Sequence, residues 1–208
     1  MTIAWSLLVP GALLLLIPAN SFLSTVVQLR TFDSFNNLDS RRHHRPWWWV
    51  PSLWLDPARG YLGALLVKIS LTLTSDLWAY VPKPDYALLM VVLGLGIISQ
   101  LYTRREEHVL LAPIGFVAGM LFALLTWPVA LVGLIAGVTG LFAFRSFAAF
   151  FVTALVGVAG LGLLLGERPL WLVPAVVVCG LPIIASLITG STLELPTRDA
   201  SNKHGKMG

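Results

Sequence analysis

Long apolar blocks alternate with short polar breaks along this chain. Residues 4–29 form the first block. WSLLVPGALLLLIP is apolar throughout, while ANSFLSTVVQL admits Asn20, Ser21, Ser24, Thr25 and Gln28. Polar residues at such depth face other helices rather than lipid. A polar stretch, 30–59, follows; Pro46, Pro51 and Pro57 argue against a long helix there. The second block starts at Val50 or at Tyr61 and runs to Tyr80, and further blocks cover 86–102, 109–126, 129–144, 147–165 and 170–189. A helix needs about 20 predominantly apolar residues to cross a bilayer. The pattern therefore predicts an all-α polytopic membrane bundle of seven transmembrane helices within residues 1–190. Residues 191–208, rich in Ser, Thr, Asn and Lys, read as a disordered polar tail.

Charge gives the bundle a direction. The breaks after blocks one, three and five, together with the tail, hold eleven of the 14 Lys and Arg: Arg30, Arg41, Arg42, Arg45, Arg59, Arg104, Arg105, Arg145, Arg198, Lys203 and Lys206. The breaks on the opposite side hold Lys83 and Arg168. Cytoplasmic loops collect positive charge, so the N-terminus is expected outside and the C-terminus in the cytoplasm of a bacterial inner membrane. The first block outruns a signal-peptide core and has no basic residue ahead of it. It reads as a retained first helix.

Composition agrees. The 208 residues are 57% hydrophobic and 12% charged, about half the charged share of a soluble domain. The net charge of +4 is accounted for by topology and does not indicate nucleic acid. A lone cysteine, Cys179, excludes a disulfide framework and a thiolate metal centre.

Candidate sites are few. The densest is SRRHHRPWWWVPSLWLDPARGYLG, residues 40–63, where indoles follow a run of cations. Tryptophan favours the membrane interface. Four within eight residues exceed what anchoring one helix end needs. Trp47, Trp48, Trp49 and Trp54, with Arg41, Arg42 and Arg45, are therefore candidates for interfacial anchoring or for docking a partner subunit. Arg104, Arg105 and Arg145, with Arg59, are candidates for a lipid phosphate. Lys68 and Asp76 are the intramembrane polar residues of the second block. A lysine in mid-membrane is costly, so Lys68 is expected to face the bundle or reach a polar group. Pairs of small residues at Gly115/Gly119, Gly133/Gly137 and Gly162/Gly166 predict close packing of helices four to six. His43, His44 and His108 lack companions at metal-ligand spacing, so no metal and no cofactor beyond bound phospholipid is expected.

Three stretches resemble the bacterial glycerol-3-phosphate acyltransferases of the PlsY type. PGALLLLIPANSFLSTVVQLR is similar to that family's first helix. LDPARGYLGALL places Asp56, Arg59 and Gly60 on its D-x-x-K-G stretch. The layout from Gly94 to Leu155, with Arg145-Ser146 between helices, is also similar. The resemblance implies seven spans with the N-terminus outside. The chain departs from the family where its chemistry sits. DSFNNLDSRRHHRP stands in place of the phosphate-binding loop, Ser99-Gln100 in place of a Gly-His, and REEHVLLA in place of a glycine loop. Three functions stay open. They are a non-catalytic subunit or accessory factor of a membrane complex, in contact with lipids and other membrane proteins; a PlsY-like acyltransferase with altered motifs; and a small-solute transporter using Lys68 and Asp76.

Overall fold

The computed structural model describes residues 4–17, 29–31, 51–72, 84–102, 109–194 and 196–198. Among them are seven helices: α1 (Trp5–Leu16), α2 (Pro51–Thr72), α3 (Pro84–Leu101), α4 (Ile114–Leu124), α5 (Trp127–Phe144), α6 (Phe147–Leu164) and α7 (Pro169–Thr189). Four short strands join them: β1 (Leu29–Thr31), β2 (Val109–Leu111), β3 (Thr192–Glu194) and β4 (Pro196–Arg198). β1 pairs antiparallel with β4, and β2 pairs parallel with β3.

Three helices, α5, α6 and α7, are long and apolar enough to cross a membrane. Their 18, 18 and 21 residues correspond to about 27–32 Å at 1.5 Å per residue, close to the thickness of a hydrocarbon core. Large apolar side chains cover their outer surfaces, among them Phe144, Leu163, Leu187 and Ile188, each more than 70% exposed. Water would not tolerate so continuous an apolar surface.

Proline and glycine set the ends. Pro113 precedes α4, and the extended bias it imposes on the residue before it separates β2 from the helix. The fourth block therefore divides into a strand and an 11-residue helix. Trp127-Pro128, the break between the fourth and fifth apolar blocks, is the first turn of α5, where proline loses no hydrogen bond. α6 ends on Gly166 in the left-handed region (φ 67°), with Glu167 N–H donating to Gly162 O at 2.8 Å and Gly166 N–H to Leu163 O at 3.3 Å. α5 ends on a left-handed residue too, but there it is Arg145 (φ 51°).

Two expectations need correction. The loop expected to reach Arg59 gives way to helix at Pro51, next to the earlier of the two starts left open for the second block, so Asp56, Pro57 and Arg59 are helical. Proline fits the first turn at Pro51. The bond that Pro57 lacks is tolerable where other helices pack against the site. The tail expected to be disordered from 191 contains β3 and β4, whose backbone groups find partners in β2 and β1.

Close helix crossings build the core. A Cβ on Gly119 of α4 would lie 2.1 Å from Pro57 O and 2.8 Å from Tyr61 N of α2. One on Gly60 would lie 2.2 Å from Phe116 O. The two backbones touch, and only glycine permits it. Gly119 thus packs on α2, not within helices four to six. Gly133 and Gly137 do face the next helix, through Val158 and Phe150 of α6. Around these crossings sit buried Phe116, Met120, Leu93, Ile97 and Phe151. Phe150 and Phe151 pack edge to face with centroids 5.2 Å apart.

Gly119→Val is expected to destabilise the protein by about 3 kcal/mol or more, because both obstructing groups are backbone. Gly160→Ala, with open space around it, should be neutral or stabilising. Thermal unfolding in mild detergent compares them; equal midpoints for the two variants would dismiss the crossing as the constraint.

Candidate functional site

Three of the described candidate side chains, Asp56, Arg59 and Lys68, lie along the line between α2 and α4. Asp56 and Arg59 are three residues apart and share one face of α2. Arg59 Nη1 lies 3.6 Å from Asp56 Oδ1, at ion-pair distance. Its Nε–H donates to Leu14 O of α1 at 3.2 Å, and the guanidinium lies 5.5 Å from the centre of the Phe116 ring of α4. Arg59 is 3% exposed. One side chain of α2 thus bonds a carbonyl of α1 and stacks on a ring of α4.

Nine residues along α2, Lys68 does similar work at the other end of α4. Its ammonium donates to Ala123 O at 2.9 Å and Leu124 O at 3.0 Å. These carbonyls belong to the last turn of α4, which has no later helical N–H to satisfy it. A cation there also complements the negative end of the helix dipole. Lys68 Nζ lies 4.7 Å from the centre of the Trp171 ring of α7. In the following turn, Thr126 donates both its N–H (3.0 Å) and its hydroxyl to Glu167 Oε1. Glu167 therefore caps the start of α5 from the α6–α7 turn, completing a polar cluster at one end of the bundle.

Gln100 of α3 is 4% exposed, and its Nε2 finds no acceptor among the described residues. Asp56 Oδ1 accepts no hydrogen bond among them either. Arg59, the ion-pair partner of Asp56, bonds Leu14 O of α1, and Gly96, one turn before Gln100, packs on Leu15 of the same helix.

Of the other candidates from the sequence, Trp54 is 65% exposed on the first turns of α2. Arg145 is exposed in the α5–α6 turn. Arg41, Arg42, Arg45, Trp47, Trp48, Trp49, Asp76, Arg104 and Arg105 lie outside the described residues. The described residues include no group of three His, Cys, Asp or Glu placed to hold a metal. Sequence reading did not single out Gln100 as a site or Glu167 as a partner. For Gln100 the available signal was a polar residue inside the apolar block 86–102. Glu167 stands in a Gly-Glu-Arg-Pro break, where an acidic residue is ordinary turn composition.

Lys68→Leu is expected to cost about 1–3 kcal/mol, the penalty for leaving buried carbonyls without a donor. Lys68→Arg should recover part of it. Arg59→Met should cost more than Lys68→Leu, since it also removes the countercharge of Asp56. Unfolding midpoints in detergent rank the three; a stabilised Lys68→Leu would show that the ammonium is merely tolerated.

No protein-family model, no curated protein and no solved structure matches this chain.

Proposed function

We propose that this is a multi-pass protein of the bacterial inner membrane that serves as a non-catalytic subunit or accessory factor of a larger membrane complex. The observation that carries the reading is the use made of the cations in α2. Arg59 and Lys68 are bound to backbone carbonyls of α1 and α4 and stacked on Phe116 and Trp171. Charges so engaged hold helices together, and catalysis or transport would need them available to a substrate. The indole- and arginine-rich stretch 41–54 is the proposed docking surface, since aromatics and arginine dominate protein interfaces.

Seven spans with the N-terminus outside also belong to this proposal. Its support comes from the two ends of the bundle. At one end, β1 after α1, β2 between α3 and α4, and β3 and β4 after α7 pair with one another. At the other, the α4–α5 turn meets the α6–α7 turn through Thr126 and Glu167. A chain that crosses back and forth puts these breaks on these sides. The strand-bearing end is the one rich in lysine and arginine.

A second reading, an acyltransferase of the PlsY type, is favoured by one observation. Asp56 and Arg59, which carry that resemblance, lie together as an ion pair, Arg59 buried and Asp56 half-buried, and Asp56 Oδ1 has no hydrogen bond among the described residues. Phosphate binding would draw on Arg59, with Arg104, Arg105 and Arg145 as further candidates. Mass spectrometry after gentle detergent extraction separates the readings. Stoichiometric partner proteins support the subunit, and the chain alone carrying lysophospholipid supports the enzyme.

Two outcomes are expected. A cysteine at Ser201 should react with a membrane-impermeant thiol reagent only after lysis, the native Cys179 being buried; reaction in intact cells reverses the topology. Replacing Trp47, Trp48 and Trp49 by alanine should release the partner while insertion and folding persist. Wild-type recovery of the partner by the triple variant sinks the docking surface, and failure to insert reduces the indoles to anchors.

A further inference from the structure

The outer surface of α5 and α6 carries a groove of about 440 Å³, open to the surroundings, with Ala136, Gly140, Ala143 and Phe144 on one side and Thr153 and Gly157 on the other. Its two threonine-bearing walls present no free hydroxyl. Thr139 donates to Ile135 O at 2.9 Å and Thr153 to Ala149 O at 2.8 Å, each within its own helix. The lining is therefore hydrocarbon in character and offers nothing to a polar ligand. From Ala136 to Phe144 the groove follows α5 for about 12 Å at 1.5 Å per residue, close to half of a hydrocarbon core of about 30 Å. That is the depth of one leaflet. A spanning helix of a partner would extend well beyond it. The groove ends at Phe144, and the next residue is Arg145, exposed and without an ion pair to any described carboxylate.

We propose that this groove holds an acyl chain of an anionic phospholipid, whose phosphate is bound by Arg145. Guanidinium suits phosphate oxygens through paired N–H donors, and basic pockets between membrane helices take anionic headgroups. Here the cation stands at headgroup level and the apolar groove runs inward from it, which matches the layout of a phospholipid. The left-handed backbone at Arg145 is a conformation that asparagine or glycine adopts at less cost, so the turn itself does not demand arginine. The proposal rests on the membrane reading above and is independent of which partner or reaction the protein serves.

The test reconstitutes the full chain into vesicles of phosphatidylcholine mixed with phosphatidylglycerol and counts retained lipids by native mass spectrometry. The wild type should retain one phosphatidylglycerol. Arg145→Asn, which keeps the left-handed turn, should lower the ratio of retained phosphatidylglycerol to phosphatidylcholine by about fivefold, the value of one basic residue near an anionic headgroup. Arg145→Lys should keep most of it. Ala143→Trp, which fills the groove from an exposed position, should lose the bound lipid of either kind at an unchanged unfolding midpoint. An unchanged lipid ratio in Arg145→Asn overturns the proposal, as does undiminished retention in Ala143→Trp. A cysteine at Ala143 that crosslinks to a protein helix in native membranes also overturns it, by giving the groove to a partner. A chain that inserts into no vesicle fails the membrane reading itself, which is a distinguishable result.

Discussion

The end of a short helix in an apolar bundle poses a problem that the rest of this fold is arranged to solve. The last carbonyls of α4 have no helical N–H to accept from, and hydrocarbon supplies none. Lys68 reaches them from α2 with an ammonium that donates to two at once. The reach depends on registry. α2 and α4 run side by side in the same direction, with Gly60 opposite Phe116 and Gly119 between Pro57 and Tyr61. That contact of two backbones fixes how far along α2 the lysine stands. Bulk at either glycine would separate the helices and withdraw the donor from its acceptors.

The same pair of helices gives Arg59 its place. A buried guanidinium is acceptable only where its charge is balanced. Leu14 O, Asp56 and the face of Phe116 come from α1, α2 and α4 in turn. Arg59 and Lys68 thus act as two rungs between α2 and its neighbours, one near each end of α4. The third polar tie, Glu167 on Thr126, extends the pattern to the α4–α5 and α6–α7 turns. Elsewhere the bundle relies on shape, as where Gly133 and Gly137 admit Val158 and Phe150.

How much of this could be read in advance depended on whether the signal was local. The apolar blocks and their breaks are local, and they locate all seven described helices. Proline left one boundary open, between Val50 and Tyr61 where the helix starts at Pro51, and shifted another by two residues at Trp127-Pro128, because proline at a first helical turn resembles in sequence a proline in a loop. The tail read as disordered because its composition is polar, whereas its pairing with residues 29–31 and 109–111 depends on chain far away in sequence. Lys68 stood out as a costly residue, but its acceptors are main-chain carbonyls 55 and 56 residues on, and a carbonyl leaves no mark in the sequence. Gly119 was recognised as a packing residue and assigned to the wrong neighbour, since spacing names a close-packed face without naming what lies against it.

The strands have a consequence for how the chain matures. Residues 192–194 and 196–198 pair with segments that precede them by roughly eighty and a hundred and seventy positions. While the first three helices are being made, the backbone of 29–31 and 109–111 has no strand to pair with. Closure of the strand-bearing end must wait until everything through Arg198 has been synthesised. Such long-range pairing is a slow step. It makes residues 192–198 a seal on segments laid down much earlier, so that damage to them would be felt as far back as residues 29–31.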